Sequence, residues 1–165
     1  MEISGRSGAA AASKGDALLL LGCPEVPVQT SVALYLCYRL EKVGIKVTVA
    51  GTGAALKLMK FADPEGHYLG ETVNLDLCIG DIVEGRRDFD LCFAFAHSDA
   101  GITYAGTMSH ISHAKLFLLI FGRGAKELAQ IVDFECEKLV AKAVHNPMPL
   151  KKHIDEVINW VASRT

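Results

Sequence analysis

The stretch ALLLLGCPEVPVQTSVALYLCYRLEKVGIKVTVAG, residues 17–51, decides the fold. It opens with a short continuous apolar run, Ala17 to Leu21, closed by Gly22, the mark of a strand buried on both faces. A helical period follows. Val28, Val32, Leu36, Leu40 and Val43 recur at helical spacing, with Pro27 suited to the first helical position and Gly44 to the stop. The β-branched segment IKVTVAG (45–51) then reads as a second strand. Strand, loop, helix and strand in this order make a right-handed crossover between parallel strands.

The alternation continues to the end of the chain. GAALKLMKFAD (53–63) predicts a helix that Pro64 ends, and DPEGHYLGETV (63–73) predicts a long irregular connection. LDLCIGDIVEG (75–85) is a third helix, DLCFAFAHS (90–98) a third strand, and DAGITYAGTMSHIS (99–112) the helix after it. KLFLLIFG (115–122) is a fourth strand followed by a helix over 124–133, EKLVAKAVHN (137–146) a fifth strand, and PLKKHIDEVINWVASRT (149–165) a closing amphipathic helix. The expected fold is α/β: a three-layer α/β/α sandwich on about five mainly parallel strands. It is Rossmann-like or flavodoxin-like, with strand order 2-1-3-4-5 preferred to 3-2-1-4-5. Residues 1–14, MEISGRSGAAAASK, read as a disordered tail ahead of a single domain over 15–165.

Composition narrows the function classes. Half of the 165 residues are hydrophobic and the formal charge is -2, with both signs well mixed. No basic stripe exists to follow a phosphate backbone, which argues against nucleic acid as a partner. No run approaches the ~18 apolar residues of a membrane helix, so no membrane partner is expected. The five cysteines are odd in number and form no C-x-x-C pair, as in a protein of a reducing compartment. Arg6 and Lys14 ahead of ALLLLGC imitate a lipoprotein signal. The apolar stretch is only Ala17 to Leu21, against the roughly 7–15 residues of a secretory core, and Asp16 abuts it. A cytoplasmic location is expected.

Parallel strands send all their carboxyl ends to one edge, where ligands of open α/β sheets bind beside the point of strand-order reversal. The loops expected there carry Gly22, Cys23, Glu25 and Gln29 after the first strand and Gly51-Thr52-Gly53 after the second. His97 and Asp99 follow the third strand, Gly122-Arg123-Gly124 the fourth, and His145 and Asn146 the fifth. Cys23 ahead of a helix start is placed as a nucleophile or as a small turn residue. Glu25 can hold a cationic or hydroxyl group or complement the helix dipole. His97 faces the crevice, Asp99 caps the helix behind it, and Pro147 forces an extended backbone at Asn146 so that His145-Asn146 points into the rim. Tyr68, with His67, lies on the long connection and is read as part of a lid. Cys23, His97 and His145 are chemically able to bind a metal, but their spacing gives no support and no metal is assigned. GCPEVP is not G-x-G-x-x-G, and no acid follows the second strand to hold a ribose, so a standard NAD site is not expected. The absence of G-x-x-x-x-G-K-[ST] excludes a P-loop. No cofactor is identified.

With these residues in view, LGCPEVPVQ (21–29), AALKLMKFADPEGHY (54–68), SDA (98–100) and HNPMPL (145–150) resemble a family of methanogenic archaea known only as a domain of unknown function. The resemblance runs from about Leu18 to the C-terminus and implies a three-layer α/β/α domain in a methanogen cytoplasm, with no reaction attached. Its motif stretches cover Cys23, Pro24, Glu25, Gln29, Asp63, Glu65, Tyr68, Asp99, His145 and Asn146, and leave His97 outside. The first half also resembles DsrE-type sulfur-relay proteins. Their sulfur-carrying cysteine follows the third strand, where this chain has His97-Ser98-Asp99, so sulfur transfer here would need Cys23 instead.

Three readings follow. The first is a small-molecule or coenzyme-binding protein with its pocket between the loops at 22–29 and 97–101. The second is an enzyme at the same rim, with Cys23 as nucleophile or sulfur carrier and Glu25 or His145 moving protons. The third is a subunit of a homo-oligomer, a dimer first of all, packing through the small residues Ala100, Gly101, Ala105 and Gly106.

Overall fold

A computed structural model of the chain describes residues 12–165; the predicted tail over 1–14 falls outside these as far as residue 11. The first strand, β1 (Asp16–Leu21), is followed by α1 (Val28–Lys42), β2 (Lys46–Gly51) and α2 (Gly53–Ala62). A short strand β3 (Glu71–Asn74) precedes α3 (Leu75–Val83), β4 (Leu91–Ala96) and α4 (Asp99–Ile111). Then come β5 (Lys115–Ile120), α5 (Ala125–Gln130), β6 (Glu137–Val140) and α6 (Met148–Arg164).

The strands form one sheet in the order β3-β2-β1-β4-β5-β6, and every pair is parallel. The five strands read from the sequence are β1, β2, β4, β5 and β6, and they lie in the order 2-1-3-4-5. The sixth, β3, adds an edge beyond β2 within the stretch expected to be irregular. Strand order therefore reverses between β1 and β4, as in a doubly wound fold. The fifth strand is also shorter than expected: its regular part ends at Val140, and beyond it only the bonds from the Ala141 N–H to the Ile120 carbonyl at 3.0 Å and from the Gly122 N–H to the Ala143 carbonyl at 2.8 Å continue along the end of β5.

β1 is the middle of the molecule. Ala17 to Leu21 are all buried, and burying each leucine contributes about 2 kcal/mol. Their alternation divides the core. Ala17, Leu19 and Leu21 meet α1, α2 and α6 on one face, whereas Leu18 and Leu20 meet α3, α4 and α5 on the other. Leu19 pairs with Val49 on one side and Phe93 on the other, and Phe93 stacks on Phe117 with ring centroids 4.9 Å apart. α1 stops at Gly44, whose φ of 85° is open to glycine and strained for other residues.

Most of the small residues of α4 face inward. Ala105 is fully buried, and a Cβ added at Gly101 would stand 2.7 Å from Ala96 Cα. A Cβ at Gly106 would meet the Phe134 ring at 3.2 Å. Gly101, Ala105 and Gly106 serve here to bring α4 close to β4 and to the segment before β6, whereas Ala100 is exposed. Among the described residues, no helix is long and apolar enough to cross a membrane.

Candidate functional site

The loops after β1 and β4 leave the sheet toward opposite faces and open a crevice at the switch point. It encloses about 220 Å³ and is lined by Gly22, Cys23, Glu25, Thr52, Phe95, His97, Ser98, Ala100, Gly101 and Tyr104. Phe95 comes from β4, Thr52 caps α2 by accepting from the Ala55 N–H at 3.2 Å, and Tyr104 belongs to the second turn of α4. A shallower depression of about 430 Å³ lies on the far side of the β4–α4 turn, lined by His97, Ser98, Asp99, Gly124, Glu127, Leu128 and Ile131. His97 and Ser98 belong to both.

The Gly22-Cys23 loop is fastened through its carbonyls. Gln29, 1 % exposed in the first turn of α1, donates from Nε2 to the Gly22 carbonyl at 3.0 Å. His97 Nε2 lies 2.7 Å from the Cys23 carbonyl, which also accepts from the Glu25 N–H at 3.0 Å. A carbonyl cannot donate, so His97 donates through Nε2–H. With its backbone held from both sides, the loop turns the Cys23 and Glu25 side chains outward, and both are exposed. The carbonyl Oε1 of Gln29 is buried without a hydrogen-bond partner among the described residues. That carries a desolvation cost of about 1–3 kcal/mol, which the loop's anchorage retains.

The two helix starts at the crevice differ. At α1, the Val28 N–H donates to the Val144 carbonyl and the Gln29 N–H to the Val26 carbonyl, so protein already meets the helix end. At α4 the capping position is held by Ser98 rather than Asp99, and its side chain makes no cap hydrogen bond. Asp99 is instead the first helical residue, exposed and facing the shallower depression. In the first turn of α4 the Gly101 N–H donates to the Ser98 carbonyl at 3.1 Å, which leaves those of Asp99 and Ala100 to meet a ligand's acceptor atoms.

Of the residues expected at the site, Gly22, Cys23, Glu25 and His97 line the crevice and Asp99 its neighbour. Gln29 acts behind the loop. His145 and Asn146 sit on the same edge of the sheet, after β6 and away from both depressions. Asn146 Oδ1 accepts from the Met148 N–H at 3.0 Å and thereby starts α6. Cys23, His97 and His145 do not converge, and among the described residues no group of three or more His, Cys, Asp or Glu is arranged to hold a metal.

Tyr68 is at the opposite edge. α2 runs antiparallel to the strands, so the chain leaving it returns to their amino ends before β3 begins. The connection there is fixed rather than hinged. The buried Asp63 carboxylate accepts from the N–H groups of His67, Tyr68 and Leu69 at 2.8–2.9 Å. These bonds, that of Leu69 foremost, hold its carboxyl below the ordinary range. Tyr68 packs edge to face on Tyr38 at 5.7 Å and covers no part of the crevice. Phe95 and Tyr104 line the crevice from outside the loops, from β4 and α4. Tyr104 has one sequence signal, helical spacing one turn beyond Gly101 on the same face.

A six-stranded doubly wound α/β protein with a crevice at its switch point is the class that this fold defines. Residues 18–157 match the family model described as a domain of unknown function, DUF1890, and the chain belongs to that family. It is 31% identical over 143 residues to the uncharacterised protein MJ0452 of the methanogen Methanocaldococcus jannaschii, covering 86% of this chain and 95% of that one. The solved structure of MT0777 superposes with a TM-score of 0.81 at 39% identity, covering 87% of this chain and 97% of that one.

Proposed function

We propose that this protein binds a small molecule or coenzyme in the switch-point crevice, as a protein of the methanogen cytoplasm. One observation carries the reading: loops from β1, β2 and β4, distant in sequence, present Cys23, Glu25, Thr52, His97, Ser98 and Tyr104 around one concave space. A volume of about 220 Å³ suits one compact group of a ligand. The shallower depression across His97 and Ser98 offers room for the remainder, with the start of α4 between them. Five unpaired cysteines fit a reducing cytoplasm.

The test is a thermal-shift screen of the full chain against methanogen coenzymes and nucleotides. Binding to the folded state at a concentration of 100 Kd stabilises by about 2.7 kcal/mol. A ligand of the crevice raises Tm in the wild type, and His97→Ala and Tyr104→Phe reduce the shift, each measured against the variant's own unliganded Tm. If no compound shifts Tm, or if the shift survives both substitutions, the crevice is not the site.

A second reading rests on Cys23, which alone of the five cysteines is exposed and stands at the rim beside Glu25. The position at which DsrE-type proteins carry sulfur is taken by His97-Ser98, and Cys92 is buried inside β4. Sulfur or acyl chemistry would therefore pass through Cys23. Cys23→Ser separates the readings: it retains the ligand-induced shift in a binding protein and abolishes turnover in a thiol enzyme.

A further inference from the structure

Phe61 is 85 % exposed, the largest exposure among the described large apolar side chains. It stands on α2, whose inward face is made by Ala55 and Met59. Ala54, Lys57, Leu58 and Phe61 follow at helical i, i+3, i+4 and i+7 spacing, and all four are exposed. α2 thus has a second, outward stripe that ends on Phe61, with Leu58 one turn before it. Beside it, between α1 and α2, runs a groove of about 330 Å³ lined by Ser31, Leu34, Tyr35, Tyr38, Ala62 and Tyr68. Protruding rings and open aromatic grooves on one face of a soluble protein mark an interaction surface.

We propose that this face joins two copies of the chain about a two-fold axis, with α2 antiparallel to α2 of the other copy and each Phe61 seated in the opposite α1–α2 groove. Two observations select a second copy as the occupant. A two-fold interface must be its own complement, and this face carries a projecting ring and a groove able to take one side by side. The charges about Phe61 also match themselves in reverse: Lys57 and Lys60 precede it on α2, and Glu65, in an exposed pair with His67 at 3.1 Å, follows it in the turn beyond the helix. Antiparallel packing sets the lysines of one copy against the carboxylate of the other, whereas parallel packing would set like against like. Phe61 stands at the end of α2 away from Thr52 and the ligand crevice, and this inference does not depend on ligand binding.

Sedimentation equilibrium of the full chain over a concentration series tests it. The wild type dimerises, and Phe61→Ala raises the dimer dissociation constant by roughly 30-fold or more, the effect of losing a central aromatic anchor. Since Phe61 makes little contact within its own chain, Phe61→Ala leaves the far-ultraviolet circular dichroism spectrum and the Tm of the monomer unchanged. Lys57→Glu and Glu65→Lys each weaken the dimer, and the double variant K57E/E65K recovers it. A wild type that stays monomeric overturns the proposal and leaves the face to a different protein. A dimer indifferent to Phe61→Ala, or one that K57E/E65K fails to recover, overturns it equally.

Discussion

Thr48 is buried in the middle of β2, and its hydroxyl is used twice: it donates to Glu71 Oε2 at 2.9 Å and accepts from Arg87 at 2.7 Å. Arg87 closes the triangle with a two-pronged bond to the Glu71 carboxylate at 2.7 and 2.8 Å. This small network ties edge strand β3 to the segment between α3 and β4. The guanidinium beside it, then the Thr48 hydroxyl, holds the Glu71 carboxyl at a pKa of about 2, against an ordinary 4.5. A carboxyl depressed by folding stabilises the native state fully above its unfolded pKa and loses that contribution as pH falls through the folded value. The window here is pH 4.5 down to about 2. The Glu71 side chain is 41% exposed, so solvent screens the pair and its worth is about 1 kcal/mol rather than the larger figure the shift alone implies. Urea denaturation should therefore find Glu71→Gln less stable than the wild type by about that amount at pH 7, with the two curves converging toward pH 2.5. A gap that stays constant across the window would place the effect in packing rather than charge.

Among the elements, α4 is held closest to the sheet. A methyl group at Gly101 would stand 2.7 Å from Ala96 Cα, 2.8 Å from Ala96 Cβ and 3.0 Å from the Phe95 carbonyl, and backbone cannot swing aside as a side-chain tip can. Gly101→Ala therefore pushes the start of α4 off β4, at a cost of about 1–3 kcal/mol that outweighs the roughly 1 kcal/mol of helix propensity gained. Gly80 in α3 is the control, since a Cβ there meets nothing within 4 Å, and Gly80→Ala raises stability by up to about 1 kcal/mol. Opposite signs from urea midpoints of the two variants support this account, and two gains refute it. The elements were unequally legible in the sequence. β1, β4 and β5 are largely continuous apolar runs and β2 a β-branched one, because both their faces are covered, and such segments are hard to mistake. β3 is four residues of ETVN on the sheet edge, with no residue fully buried and pairing to β2 alone. No local pattern marks it, because its pairing is decided by the packing around it. That omission also misplaced Tyr68. With a strand recognised at 71–74, the segment before it has to lie at the amino edge, since α2 runs back from the carboxyl edge. The crevice loops, by contrast, were legible because strand direction alone sends Gly22-Cys23 and His97-Ser98 to one edge. The inward roles of Gln29 and of the α4 glycines were not, since facing is a property of packing rather than of loop order.

At the scale of the whole molecule, the two helical layers cover one sheet from opposite sides, and the cysteines sample both. Cys37 faces the sheet from α1, and burial, with Glu41 nearby, pushes its thiol up to about 12. Cys92 lies within β4 toward the other layer, fully enclosed, and burial raises its thiol as well. Cys78 on α3 is pushed up to about 11 by burial. Only the thiolate reacts, and only when a reagent can reach it, so these groups are silenced twice over in the native state. A thiol reagent at mildly alkaline pH should modify Cys23 first and Cys136, half-buried, more slowly. Cys37 and Cys92 should wait for the layers to separate. Each layer rests on the same central strands, with Leu19 and Leu18 of β1 facing opposite sides, so the loss of either layer strips one face of the strands that support the other. Cys37 and Cys92 should then react at one shared rate, with the same steep dependence on urea as global unfolding. Site-resolved labelling by mass spectrometry measures this directly. Should Cys92 react in native buffer while Cys37 stays protected, or the reverse, the layers open independently and the sheet does not couple them.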